Sequence, residues 1–321
     1  MKKKLLPLAI AAAMAPGFAT AADVSGFVDI IYTIADDQAS GVTTPSQTEG
    51  KFTAEGEVDV SASPADGVTV RMDVDLVAGS NDVELEQAFF AWGATEGVTV
   101  LGGVFNNPIG MESEDAPEWW GTNSGVIRNL LDGQTALHGN NVAGLAVAGD
   151  VGPATVTAAL LNDLANSDEE NSFALVVNAS PVDGLDLELG FVTSADQADS
   201  ANATAVEGVT DFNASYMIPG VDGLSVGLDY LVGGAVVDSA YEFMINYSMG
   251  DFGAGVRLEA VSWEAGGDDS ERTTIHGSYQ VASNLVAILE IADGDDANVA
   301  GNAAAGIETD SLTTLELIAT F

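Results

Sequence analysis

The sequence predicts an all-β chain that closes into a transmembrane, antiparallel, up-and-down β-barrel of about 16 strands. Two observations predict this fold. After residue 21, segments of about ten residues carry apolar side chains at every second position, as tilted strands that cross a bilayer require. Short turns and longer connections alternate between these segments, which is typical of barrels whose two ends face different compartments.

The clearest alternation lies in residues 51–62. Lys51, Glu55, Glu57 and Asp59 fall at odd positions, whereas the even positions from Phe52 onward hold only apolar or small residues. A helix would spread these charges around its surface, because its period is about 3.6 residues. Soluble sandwiches also contain alternating strands, so the prediction depends on repetition of the pattern along the chain.

Sixteen segments follow this pattern. They lie at residues 24–34, 51–62, 67–77, 83–93, 98–105, 140–149, 154–162, 172–180, 184–193, 208–218, 223–232, 240–249, 252–263, 272–281, 285–292 and 310–321. An even count brings both termini of a closed sheet to the same side of the membrane.

The connections fall into two classes. Residues that favour tight turns fill 64–67, 94–97, 150–153, 181–184 and 219–223. Longer connections are predicted on the other side, at 35–50, 163–171, 194–207, 233–239, 264–271 and 293–309. The longest loop, residues 106–139, joins the fifth and sixth strands, and its paired Trp119 and Trp120 favour order over disorder because they offer much area to bury.

Residues 1–21 have the charged start, apolar stretch and small-residue end of a secretory signal, so residues 22–321 are predicted to form the barrel. Those residues include five basic and 49 acidic side chains. Such a chain repels phosphate and attracts cations, which excludes nucleic acid as a partner. Adaptation of the surface to a salty habitat is an alternative explanation for the acidity.

Two stretches carry a family resemblance. Glu86-Gln87-Ala88-Phe89-Phe90 and the segment Gly102 to Glu112 resemble OmpL-like porins of Gram-negative bacteria, and the terminal Phe321 resembles the C-terminal aromatic signal of outer-membrane proteins. The layout is also similar to that of general diffusion porins, although the second outer loop, near residues 79–82, is shorter.

The resemblance implies an outer-membrane porin, which is a water-filled channel for passive diffusion of small hydrophilic solutes and ions. It implies a homotrimer in contact with the lipid bilayer and lipopolysaccharide. It also implies that the third outer loop, residues 106–139, folds into the lumen as a constriction.

Charged residues of that constriction can be predicted by parity. Lys51, Arg71, Arg257 and Arg272 occupy or adjoin inward positions, since a basic side chain facing lipid costs about 2–4 kcal/mol. If the long loop enters the lumen, its charged side chains would stand opposite these cations and set up a transverse field. Those loop residues are Glu112, Glu114, Asp115, Glu118 and Arg128. The alternative is that they are ordinary solvated loop charges. The excess of acidic over basic residues predicts a preference for cations.

Other function classes find little support. A barrel hydrolase needs a nucleophile, a base and an acid in contact, whereas the sequence has only His138 and His276. We therefore expect no enzymatic activity and no catalytic residues. No phosphate-binding glycine loop or EF-hand spacing is present, so no cofactor and no metal are predicted. A barrel for adhesion or envelope structure, plugged by its long loop, remains an alternative.

Overall fold

The computed structural model describes residues 22–35, 50–77, 83–135, 137–164, 171–193, 208–234, 237–264, 268–294 and 311–321. The predicted signal, the second outer loop and most of the other long connections lie outside these residues, as does the side chain of Lys51.

Within the described part of the chain, sixteen strands form one closed antiparallel sheet. Each strand pairs with its neighbours in sequence, and β1 pairs with β16 to close the barrel. The strands are β1 Asp23–Ala35, β2 Lys51–Ala65, β3 Val68–Val77, β4 Val83–Thr95, β5 Val98–Asn106, β6 Asn141–Val151, β7 Ala154–Asn162, β8 Asn171–Val182, β9 Leu185–Val192, β10 Val209–Met217, β11 Leu224–Val232, β12 Val237–Met249, β13 Phe252–Trp263, β14 Ser270–Ala282, β15 Leu285–Gly294 and β16 Leu312–Thr320. The predicted fold class and strand order are confirmed.

Two irregularities in the sheet change the predicted pattern. β2 continues through Pro64 to Ala65, and a shift of register after Ala62 accommodates the proline near the strand end. In β4, Gln87 pairs with Asp73 and Leu85 pairs with the next residue of β3, so Glu86 has no partner there. Because of this bulge, two successive side chains, Glu86 and Gln87, are both buried on the inner side of the barrel.

The outer surface of the barrel is apolar and has aromatic residues near both ends. Phe212, Tyr230 and Tyr241 occupy directly paired positions on β10, β11 and β12. The rings of Tyr32 and Phe52 pair at the end that carries the long connections, with centroids 4.7 Å apart. The rings of Phe252 and Tyr279 pair near the opposite end, with centroids 4.9 Å apart. Rows of this kind are typical of barrels whose aromatic side chains sit at membrane interfaces.

The long loop folds into the lumen, as predicted. It contains a 3₁₀ turn at Ala116–Glu118 and a helix, α1, at Val126–Asp132, neither of which the sequence pattern predicted. No helix in the described ranges is long and apolar enough to span a membrane.

The loop is held by an apolar cluster on the inner wall. Val126, Ile127, Leu130 and Leu131 of α1 are fully or almost fully buried in it. The wall contributes inward-facing side chains of several consecutive strands, including Leu101, Phe105, Leu161, Val176, Val192 and Leu231. The alternation of apolar and polar faces therefore fails in this part of the barrel, because the inner face packs against protein instead of water.

Two glycines allow the loop to approach the wall closely. A Cβ atom on Gly190 of β9 would lie 2.2 Å from Cγ2 of Ile109, and a Cβ on Gly227 of β11 would lie 3.1 Å from Cζ2 of Trp120. Side chains at these two positions would push the loop away from the sheet.

The apolar cluster makes a testable prediction about loop docking. Leu131→Ala should weaken docking of the loop by about 2–5 kcal/mol, because it opens a cavity at a fully buried position. Leu137→Ala is the matched control, since Leu137 belongs to the same loop and is exposed. Limited proteolysis should cut the loop faster in the first variant only, while circular dichroism shows an unchanged sheet. Equal cleavage rates in both variants would contradict the packing.

Candidate functional site in the barrel lumen

Carboxylates of the inner wall hold the first part of the long loop through its backbone. The Gly110 N–H donates to Oδ1 of Asp211 at 3.2 Å, and the Met111 N–H donates to Oδ2 of Asp229 at 2.8 Å. Both aspartates are buried, on β10 and β11. Each contact gives a buried amide its required acceptor and a buried carboxylate its required donor.

The start of α1 is capped by the wall. The N-cap residue, Gly125, has no side chain to accept a hydrogen bond from the first turn. Instead, the Val126 N–H donates to Oε1 of Glu259 at 3.0 Å, and the Ile127 N–H donates to Oε1 of Glu242 at 2.6 Å. The carboxylates of β13 and β12 thus satisfy amides that every helix start leaves without a partner.

A third group of hydrogen bonds holds the loop between residues 111 and 126. The N–H groups of Thr122 and Asn123 donate to the carboxylate of Glu290 on β15, at 2.8 and 3.2 Å. The side-chain amide of Asn123 donates to the same carboxylate at 2.5 Å. A Cβ on the neighbouring Gly121 would lie only 1.9 Å from Oε2 of Glu290, so the approach requires a glycine there.

Two of the predicted constriction cations also hold the loop. Nη2 of Arg257 donates to the Asn123 carbonyl at 2.7 Å, and Nη2 of Arg272 donates to the Ser124 carbonyl at 2.6 Å. Arg272 also binds both carboxylate oxygens of Glu259, at 2.6 and 2.7 Å. Both arginines point inward, but they bind the loop rather than face an open lumen.

Two of the predicted acidic residues of the loop, Glu112 and Glu114, lie near arginines. Glu112 stays near the arginines, with Oε1 3.4 Å from Nη1 of Arg257. Glu114 forms an ion pair with Arg128, whose guanidinium lies 4.8 Å from the ring centroid of Trp119. The loop's own Arg128 thus neutralises part of its acidity.

Arg71 of β3 lies near four acidic side chains. Its guanidinium lies 2.6 Å from Asp73, 3.3 Å from Asp59, 3.6 Å from Asp115 of the loop and 3.9 Å from Glu57. One guanidinium therefore forms ion pairs with four carboxylates.

Glu118 and Lys51 are the remaining predicted constriction residues. Oε2 of Glu118 is buried and has no hydrogen-bond partner among the described residues. The side chain of Lys51 lies outside the described part of the structure.

Between the loop and β1 to β4 lies a cavity of about 390 Å³, which we call the acidic recess. Its lining includes two aromatic side chains, Phe27 and Trp119, and two basic ones, Arg128 and His138. Six carboxylates line it: Glu55, Glu57, Asp75, Glu86, Glu114 and Asp132. The recess is therefore a strongly acidic part of the lumen.

His138 fastens the end of the loop to β3 and β4. Its Nε2 lies 3.0 Å from Oδ2 of Asp75, and its Nδ1 lies 2.5 Å from Oε2 of Glu84. The hydrogen bond to Asp75 raises the pKa of His138 to about 9, with Glu84 acting in the same direction. The imidazolium is therefore the dominant form at neutral pH.

Burial raises the pKa of two acidic residues of the loop. It raises the pKa of the Glu114 carboxyl, although Arg128 opposes the shift. It also raises the pKa of Asp115 to about 7, against the opposing effect of Arg71. The loop's carboxylates thus depend on their arginines to stay charged.

The anchoring residues on the wall were missed by sequence analysis. They are Asp211, Asp229, Glu242, Glu259 and Glu290. Their inward parity is visible in the sequence, but it does not distinguish a solvated carboxylate from one that binds a loop amide. The glycines at 110, 121 and 125 of the loop are the one local signal of close approach.

Comparison with solved structures identifies the fold. The chain is similar to a double variant of the porin of Rhodopseudomonas blastica, with a TM-score of 0.64 and 15% sequence identity. The match covers 94% of this chain and 100% of that porin. A triple variant of that porin gives a TM-score of 0.65 at the same identity and coverage. An engineered protein studied for asymmetric conductivity gives 0.66, also at 15% identity.

The chain has the porin fold. At this level of identity, the similarity to solved porins concerns the fold alone. No protein-family model and no curated protein matches the sequence.

The histidine contact makes a prediction about pH. A pKa raised above the ordinary value of about 6.5 means that the contact stabilises the loop fully below that pH and is lost as pH rises through about 9. The chain has two histidines, so His138→Gln assigns their NMR signals. We expect His138 to titrate near pH 9, and Asp75→Asn to lower that midpoint toward 6.5. A midpoint near 6.5 in the unchanged protein would contradict the contact.

Proposed function

We propose that this protein is an outer-membrane porin that forms a water-filled, cation-preferring channel for passive diffusion of small hydrophilic solutes and ions. The observation that carries the proposal is the acidic recess, which lies inside a closed sixteen-stranded barrel beside an inserted loop. A barrel of this size is too wide for strand side chains alone to fill, so the inserted loop sets the width of the passage.

The outer face of the barrel supports a location in the membrane. Large apolar side chains such as Leu189, Ile275 and Leu315 are about half exposed there, whereas Glu188, Arg272 and Glu316 of the same strands are buried on the inner side. Such a surface suits lipid and does not suit water. Secretion through the signal at residues 1–21, contact with lipopolysaccharide and assembly as a homotrimer belong to the same proposal.

Cation preference follows from the unequal numbers of charges in the recess. Six carboxylates face Arg128 and His138, and a low-dielectric wall focuses their field onto the passage. The predicted constriction residues contribute unequally, because Arg257 with Glu112 and Arg128 with Glu114 form close pairs that largely cancel each other. Arg71 is outnumbered by its acidic neighbours.

A hydrolase is the less suitable alternative. His276 faces the lumen on β14, and Glu290 is its direct partner across the sheet. Glu290 accepts hydrogen bonds from Thr122 and Asn123 of the loop, so it is engaged in anchoring rather than in orienting a catalytic base. We therefore propose no enzymatic activity for this barrel.

Channel activity can be tested with purified protein in lipid. We expect stepwise conductance in planar bilayers and swelling of proteoliposomes in small sugars, with the rate falling as the sugar becomes larger. Protein-free liposomes and heat-denatured protein are the controls. If the folded protein conducts no ions and admits no sugars, the barrel is plugged and an adhesive or structural role replaces the channel.

Ion selectivity can be separated from net charge with two matched double variants. Glu55→Gln with Asp132→Asn removes two charges from the recess. Asp183→Asn with Asp251→Asn removes two charges from exposed short turns. In salt gradients, the cation-to-anion permeability ratio should fall by roughly half in the first variant and stay near its original value in the second. Equal effects of the two variants, or reversal potentials that show anion preference, would refute the role of the recess.

A further inference from the structure

Three carboxylates from separate parts of the chain converge beside the acidic recess. Glu57 comes from β2, Glu86 from the bulge in β4, and Asp115 from the long loop. One oxygen from each lies within 4.8 Å of the others. Strand pairing and loop insertion together create this cluster, which no local sequence motif encodes.

Each of the three carboxylates has one buried oxygen without a hydrogen bond among the described residues. Glu86 is only 6% exposed, and its Oε2 has no hydrogen-bond partner among the described residues. Oε1 of Glu57 and Oδ1 of Asp115 are also buried without a hydrogen bond in the same part of the structure. Buried carboxylates are costly without a donor or a cation, so this arrangement calls for a positive ligand.

Arg71 does not supply the missing charge. Its closest contacts are with Asp73 and Asp59, at 2.6 and 3.3 Å. It reaches Asp115 and Glu57 only at 3.6 and 3.9 Å. After these pairings, the cluster still has more carboxylates than the single guanidinium can neutralise.

The donor set identifies the class of ligand. Carboxylate oxygens without nitrogen or sulfur donors favour hard divalent cations. Ca²⁺ binds oxygens at about 2.3–2.6 Å, so oxygens on opposite sides of the ion lie up to about 5 Å apart, and Mg²⁺ needs a tighter set. Three oxygens within 4.8 Å of one another are close enough to surround one Ca²⁺ ion.

We propose that Glu57, Glu86 and Asp115 bind one Ca²⁺ ion, which ties the long loop to β2 and β4. Backbone hydrogen bonds anchor the loop to β10 through β15, and the ion would add to the contacts of His138 and Arg71 on the opposite side. The site does not depend on channel activity, because it concerns attachment of the loop and not passage of solute.

Binding can be measured with the full, detergent-solubilised chain. Tb³⁺ bound in the cluster should emit when tryptophan is excited, since Trp119 lines the same recess as Glu57 and Glu86. Competition by Ca²⁺ then gives its affinity. Glu86→Gln leaves every contact of Arg71 in place and should weaken Ca²⁺ binding at least about tenfold.

Asp186→Asn is the matched control. It removes a carboxylate from β9 that accepts a hydrogen bond from Ser180, away from the cluster. Its Ca²⁺ affinity should match that of the unchanged protein. A second variant, Asp115→Asn, should reproduce the loss seen with Glu86→Gln, and circular dichroism verifies that each variant retains its sheet.

A structural readout completes the test. Ca²⁺ should slow proteolysis of the long loop in the unchanged protein and leave its rate unaltered in Glu86→Gln. The proposal is overturned if the unchanged protein binds no Ca²⁺, if both variants and the control bind it equally, or if K⁺ competes as well as Ca²⁺. None of these measurements uses conductance, so a failure here leaves the porin proposal to its own tests.

Discussion

The architecture depends on mutual satisfaction of polar groups inside the barrel. Lipid on the outside would penalise charge, so the strands turn their carboxylates inward. The long loop brings backbone N–H groups into the same space, where water is excluded and each amide needs an acceptor. Glu290, Glu242 and Glu259 receive those amides, and Arg257 and Arg272 receive the loop carbonyls. Neither the loop nor the buried carboxylates would be stable in these positions without the other.

Packing divides the lumen into two unlike parts. On one side, α1 presents Ile127 and Leu131 to an inner wall that is apolar, and the glycine at 190 lets the loop approach closely. On the side of β1 to β4 the wall stays polar and acidic, and a cavity remains between it and the loop. The same insertion that fills one part of the barrel thus defines the boundary of the other. His138, which binds Asp75 and Glu84, holds the loop at the edge of that cavity.

Most of the fold follows from period-two alternation, because a closed barrel with an apolar outer face requires the same pattern of every strand. All sixteen strands were predicted close to their observed bounds, and Arg71, Arg257 and Arg272 were placed inside by parity. Parity carries no information about what an inward side chain meets. The pattern therefore missed that Val176 packs on the loop, that Asp211 binds an amide, and that a bulge brings Glu86 into the lumen. These features depend on contacts with neighbouring strands or with the inserted loop, which a local pattern does not record.

The position of the acidic residues bears on why the chain is so acidic. Selection for solubility in salt favours carboxylates on exposed surfaces, where they are hydrated at little cost. Glu57, Glu86 and Glu114 are instead buried within the barrel, where each carries a desolvation cost. On the side of α1, such carboxylates are matched by amides and arginines. On the side of β1 to β4, they outnumber the available donors, so negative charge accumulates beside the remaining cavity. Adaptation of the surface alone gives no reason for this asymmetry, whereas the proposed cation preference does.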